Sequence, residues 1–200
     1  MLARKHLAKG FMLLLAVWLV VLFLLVSYFQ DQYVKAFTHD SPEFLDADFS
    51  EQWLNQLTPL LPAKSTQLRI IQLWVPECLC NRFARPHAAQ TVAMAKQKGI
   101  EHITLIPKEY ENQLAKLQQL NPDSQIMTIP RNALASWPNS PSTMLQGPLE
   151  QLLYFGPLGY GAFCSQPNTS ELATQIRAAE NNQFRPFFNV IGQGCFCPFA

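Results

Sequence analysis

The sequence predicts an α/β domain, a mixed sheet flanked by helices, carried behind one N-terminal membrane-spanning helix. Three observations predict it. Residues 10–30 form an uncharged, almost wholly apolar run. From residue 68 to 129 the apolar pattern alternates strand, helix, strand, helix, strand, and two further strands follow around a Gly147-Pro148 turn. Such an order implies parallel strands with right-handed crossovers, ending in an antiparallel hairpin.

The chain has 200 residues and a formal net charge of +1. After the N-terminal segment that leaves one domain of ordinary size, large enough to bury a core. No basic run interleaves with aromatics, which excludes a nucleic-acid footprint. No glycine-rich phosphate loop, solenoid repeat, Ser/His/Asp triad or carboxylate pair stands out, and no cofactor is called for.

In residues 1–30, Arg4, Lys5 and Lys9 precede the apolar run Gly10 to Gln30, and Asp31 follows it. About 20 apolar residues span a bilayer. The run ends in Ser27-Tyr28-Phe29-Gln30, bulky where a cleavage site would be small-x-small, so an anchor is favoured over a signal peptide. The basic residues predict a cytoplasmic N-terminus, with residues 31–200 in a periplasm beyond an inner membrane. That compartment permits disulfides.

Residues 31–66 read as a linker with local structure. Ser41-Pro42-Glu43 suggests a short helix, and Phe49, Trp53, Leu54 and Leu57 share one face of a second, residues 49–61, that packs on the domain edge. The domain proper is residues 67–183. It opens with a strand, Arg69 to Val75, stopped by Pro76, which has no N–H for the ladder. After Cys80, Phe83, Ala84, Ala88, Thr91, Val92 and Ala95 recur at helical spacing, and Lys98-Gly99 close the helix. Cys78 thus sits at a helix N-terminus, where free N–H groups and the dipole stabilise a thiolate.

The segment Leu73-Trp74-Val75-Pro76-Glu77-Cys78-Leu79-Cys80 resembles the active-site segment of thioredoxin-like proteins. Leu73-Trp74 match the aromatic-Trp pair, Cys78 the nucleophile, and Pro86 the proline within the first long helix. Ser140-Pro141 before Thr143 to Leu145 resembles the cis-proline loop, which shapes a groove for an extended peptide. The resemblance covers roughly residues 65–183. Asn81 replaces the resolving cysteine, whose partner role moves to Cys80, and Gln72 replaces a buried acid.

Further along, His102 to Ile106 reads as a strand, Lys108 to Leu120 as a helix, and Gln125 to Ile129 as a strand. Residues 131–139 connect to a fourth strand opened by Pro141, and Leu149 to Phe155 makes the fifth. Thr169 begins a last helix, with Leu172, Ile176 and Ala179 inward. Residues 184–200 form a tail whose apolar run Phe187 to Ile191 predicts that it packs back along the domain, as an added edge strand.

Cys78 and Cys80 form one Cys-x-Cys pair; Cys195 and Cys197 form a second. A Cys-x-Cys can close on itself, though the small ring gains little. The tail pair has three readings: a local Cys195–Cys197 disulfide pinning the tail, a relay to the first pair, or half of a four-thiolate copper(I) or zinc site. Cys164, in the loop after the fifth strand, is placed at the same end as Cys78 and Pro141, as a resolving thiol or a buried inert one. His87 is read as a surface or partly buried histidine rather than a ligand. The function expected first is a membrane-tethered thiol–disulfide oxidoreductase: Cys78 attacks, Cys80 resolves, Pro141 shapes the groove, and the partners are protein thiols or disulfides. The alternatives are the metal module and a domain whose cysteines are only structural.

Overall fold

The computed structural model describes residues 2–37, 47–64, 66–134, 137–167, 169–189 and 192–198. The helix expected at Ser41-Pro42-Glu43 and the side chain of Phe49 lie outside the described residues. Helix α1 (Leu2–Tyr33) contains the span Lys9–Gln32, 24 residues of which none is fully buried. At 1.5 Å per residue it is about 36 Å long, more than the ~30 Å hydrocarbon core of a bilayer. It is long and apolar enough to cross a membrane.

Strand β1 (Val34–Ala36) leaves α1 directly. Helix α2 (Ala47–Leu57) buries Trp53, Leu54 and Leu57, as their spacing predicts, and a 3₁₀ turn at Thr58–Leu60 carrying Pro59 ends it. Then come β2 (Arg69–Leu73), α3 (Leu79–Lys98), β3 (Glu101–Pro107), α4 (Leu114–Leu120) and β4 (Gln125–Ile129). Gly99 caps α3 at φ 64°, a left-handed conformation that glycine adopts without steric cost. The short β5 (Asn139–Ser140) precedes β6 (Ser142–Gln146) and β7 (Leu152–Pro157). A small hairpin, β8 (Gly159–Tyr160) and β9 (Gln166–Pro167), leads into α5 (Thr169–Glu180). The tail supplies β10 (Phe187–Phe188), β11 (Gln193–Cys195) and β12 (Cys197–Pro198).

The main sheet has the order β10-β7-β6-β2-β3-β4. β2, β3 and β4 are parallel, and β6 is antiparallel to both β2 and β7. This is the thioredoxin-like mixed sheet, and β10 adds the expected edge strand, parallel to β7. Alternation along β2 sends Ile71 and Leu73 to a face packed with Trp53, Trp137, Phe155 and Phe196. Ile70 points to the other face, against Ala95, Leu172 and Ile176. Both layers bury large apolar area, worth roughly 25 cal/mol per Å².

Two elements depart from expectation. The helix read over 108–120 starts as a 3₁₀ segment, Lys108–Gln113, and becomes α-helical only from Leu114, because Tyr110 is bent out of helical φ/ψ. The linker read from residue 31 instead continues α1 to Tyr33 and then forms β1, paired antiparallel with β11, followed by Phe37, which is fully buried against Phe155 and Phe196. Phe37 N–H donates to Gly192 O, and Asn139 Nδ2 donates to Phe37 O. The chain just beyond α1 is therefore stitched to the tail and to the β5 loop.

Candidate functional site

Cys78 is the N-cap residue of α3, with extended φ/ψ of −68° and 116°. Its N–H donates to Val75 O, so the Pro76-Glu77 turn after β2 delivers the thiol to the helix end. The Ser140–Pro141 peptide is cis, and it faces this turn. Ser140 Oγ accepts the Val75 N–H at 3.3 Å and donates to Asn81 Oδ1 at 3.2 Å. Asn81 Nδ2 donates to Val75 O at 2.6 Å. Asn81, standing where a resolving cysteine was expected, is thus the buried bracket between the cysteine turn and the proline loop.

The four cysteines of the two Cys-x-Cys motifs are joined crosswise. Cys78 bonds Cys197 with Cα atoms 5.9 Å apart, and Cys80 bonds Cys195 with Cα atoms 5.2 Å apart. Neither motif closes on itself, which replaces both the Cys78–Cys80 couple and the local tail disulfide considered from sequence. The reason is register. The tail runs antiparallel past the first motif, so the outer residue of each pair meets the outer residue of the other. Two short ladders hold that register: Val34 opposite Cys195, and Cys197 opposite Ser140. Gly194 also bridges Gly161, whose N–H donates to Gln193 O at 2.9 Å.

The two disulfides differ in access. Cys80 and Cys195 are fully buried and Cys78 is buried at 5% exposure, whereas Cys197 is partly exposed. Cys78 Sγ lies 3.7 Å from Ser140 O. The Sγ atoms of Cys78, Cys80 and Cys197 all lie within 4.8 Å of one another. Reduced, those thiolates are soft ligands of the kind zinc and copper(I) take.

Cys164 remains free and buried behind the second bond. Its Sγ is 3.5 Å from Cys195 O and 3.9 Å from Cys80 O. Burial pushes its thiol up to about 11, so it stays protonated at neutral pH and is a poor nucleophile. His87, read as an ordinary histidine, is buried and hydrogen-bonds Cys164 O through Nε2 at 2.6 Å. Gln72 is buried in β2, so no carboxylate stands behind the cysteines at that position. The loop before Cys164 holds Phe163 and Cys164 at φ 59° and 50°, left-handed values that cost non-glycine residues roughly 1–2 kcal/mol each. Phe163 stacks on Phe29 of α1 at 4.6 Å, and Phe83 meets Phe163 edge-on at 5.0 Å. The sequence placed Ser140 only in the proline loop and Phe29 only at the bulky end of the apolar run, and gave Phe163 no role; an aromatic after the Gly159-Tyr160-Gly161 loop was the one available signal.

Comparison with known proteins places this fold in a family. A family model matches residues 46–199, from α2 to the tail disulfides. The chain belongs to the family described as "Domain of unknown function (DUF6436)". No curated protein matches the chain. Among solved structures, this DUF6436 chain is similar to a hypothetical protein, SMc02350, from Sinorhizobium meliloti 1021, at 9% identity and TM-score 0.51, covering 66% of this chain and 79% of that one. It is also similar to a protein from Neisseria meningitidis described as a "Putative Thioredoxin", at 20% identity and TM-score 0.44, covering 58% and 76%. An uncharacterized conserved protein from Geobacillus kaustophilus aligns at 12% identity and TM-score 0.48, covering 68% and 78%.

Proposed function

We propose that the protein is a membrane-tethered thiol–disulfide oxidoreductase acting in the periplasm, with Cys78–Cys197 as the exchanging bond. The observation that carries this is the pairing of a helix-capping cysteine with a partly exposed cysteine held in extended chain beside Pro141. A substrate thiolate attacks Cys78 Sγ, and the bond to Cys197 breaks. Cys197 leaves with the electron pair and takes up a proton. The substrate's second thiolate then attacks its own sulfur in the mixed disulfide and releases Cys78 as a thiolate, stabilised by the α3 N-terminus. The substrate loses two electrons and the cysteine pair gains them; run backwards, the same steps reduce a substrate. Cys80–Cys195 lies close enough to exchange with the first pair, which makes it a second, buried store of two electrons.

Arg4 and Lys5 before the span, and Lys9 at its first position, support a cytoplasmic N-terminus. The test is stepwise reduction of the full chain in glutathione buffers, followed by maleimide labelling. Cys197 and Cys78 should label before Cys80 and Cys195, and Cys197→Ser should trap mixed disulfides at Cys78. Both bonds opening together, with no trapped adduct, would leave them structural. An impermeant maleimide on intact spheroplasts reads the orientation: labelling only after lysis overturns it. A second reading is favoured by the sulfur cluster, since tetrahedral zinc at Zn–S of about 2.3 Å sets sulfurs about 3.8 Å apart. Stoichiometric copper or zinc in the reduced preparation would move the assignment to a metal module.

A further inference from the structure

Resting on that thiol-exchange reading, we infer that the disulfides work at the headgroup depth of the membrane spanned by α1, and that their partner is a membrane-embedded protein presenting a dithiol at that depth. The span ends at Gln32, and Val34, two residues on, is already in register with Cys195. A residue advances the chain by at most about 3.6 Å and neighbouring strands lie about 4.8 Å apart. Cys195 is therefore within about 12 Å of the end of the span, and the headgroup layer beyond the hydrocarbon core is itself about 5–8 Å deep.

A second contact fixes the same end of the domain against the membrane. Phe29 belongs to the last turns of the span, yet it stacks on Phe163 and meets Phe83 edge-on at 6.5 Å. Phe163 is 51% exposed, a large apolar side chain in solvent-facing backbone that needs a left-handed φ to present it. Beside it, Leu25, Val26, Phe29 and Gln30 complete a shallow, mostly apolar cleft of about 230 Å³. Phe29 lies three residues, about 4.5 Å of helix rise, before the end of the span, so Phe163, stacked on it, is placed near headgroup level. The residue after it, Cys164, touches the backbones of Cys80 and Cys195. One aromatic wedge and one three-residue strand thus hold the disulfide cluster down on the bilayer.

The exchange follows the balance given above, with the partner's dithiol as reductant: its two thiols become a disulfide, and Cys78 and Cys197 become thiols. A partner cysteine fixed at the same depth meets the bond by lateral diffusion alone. One in bulk solvent has to reach into the surface.

The test uses the full chain reconstituted in phosphatidylcholine vesicles. Phosphatidylthioethanol, whose thiol sits on the lipid headgroup, is compared with glutathione at equal total thiol, and the opening of Cys78–Cys197 is followed by maleimide gel shift. The lipid thiol should open the bond at least about tenfold faster, through its raised effective concentration. A 20-residue Gly-Ser linker inserted between Gln32 and Tyr33, with an r.m.s. reach of about 25 Å, should remove most of that advantage. Its unchanged glutathione rate would show the domain intact. An advantage below about threefold in the native chain, or one that survives the linker, overturns headgroup-depth action. If neither reductant opens the bond, the exchange reading falls and takes this inference with it.

Discussion

Removing one disulfide should cost far less stability than removing both, because the two bonds close nearly the same loop. Their sequence separations are 119 and 115 residues. By the chain-entropy relation, the first cross-link over a loop of that length contributes about 5 kcal/mol. Once it exists, the other closes a ring of only about six residues, namely Cys78 to Cys80 and Cys195 to Cys197, for which the same relation gives about 2 kcal/mol. Cys197→Ser alone and Cys195→Ser alone should therefore each cost about 2 kcal/mol, while the double variant costs about 7. That leaves a coupling of about 3 kcal/mol that independent bonds would not show. The assay is urea unfolding of the full chain in a mild detergent, single and double variants side by side. A double-variant loss under about 4 kcal/mol would refute the crossed pairing, since bonds local to each Cys-x-Cys close no long loop. A single variant that loses about 5 kcal/mol would show that its companion bond is not formed.

Burial pushes the His102 imidazole down to about 4, and its Nδ1 is hydrogen-bonded to Ser124 Oγ at 2.8 Å. The unfolded chain takes up this proton near the ordinary value of 6.5, so stability is intact above that pH and falls as pH drops from 6.5 to about 4, by up to about 3 kcal/mol. In His102→Gln that slope should vanish from urea titrations between pH 4 and 7.5; an unchanged slope assigns the loss to other groups. Asn81→Ala leaves Val75 O and Ser140 Oγ without their bracket, which should cost about 2 kcal/mol and loosen the Pro141 loop. Its Cys78–Cys197 bond should then be reduced by glutathione faster than the native one, and an equal rate would show that Asn81 only fills space.

The stretch from Leu68 to Gly99 was readable because each signal in it is local: β-branched and aromatic residues, a proline stop, helical spacing and a glycine cap. The inward Leu172 and Ile176 were legible for the same reason, whereas the cis Ser140–Pro141 peptide was implied by the resemblance to the thioredoxin-like cis-proline loop. Strand β1 was not. Three residues, Val34-Lys35-Ala36, carry no periodicity, and their partner Gln193–Cys195 lies at the other end of the chain. The cysteine partners were hidden too, since four cysteines allow three connectivities and spacing does not choose among them. What chooses is the antiparallel run of the tail; its apolar composition foretold packing back as an edge strand that brings Cys195 and Cys197 toward the other thiols, but not which partner each would take. Phe29 shows a third kind of blindness: inside a hydrophobic span, one phenylalanine with a specific partner looks like all the others.

The pairing of β1 with β11 also has a consequence for biosynthesis. The segment just after the apolar helix α1 waits for Gln193–Cys195, made more than 150 residues later. Cys195 follows Cys80 by 115 positions, so at 5–20 residues per second Cys80 waits about 6–23 s before its partner exists. During that interval Cys78 and Cys80 have only each other, Cys164 and whatever thiols surround the nascent chain. The crossed arrangement forms only once residues 195–197 have been made. A chain ending short of Cys195 would keep its six-stranded sheet and α1 but have nothing to close it.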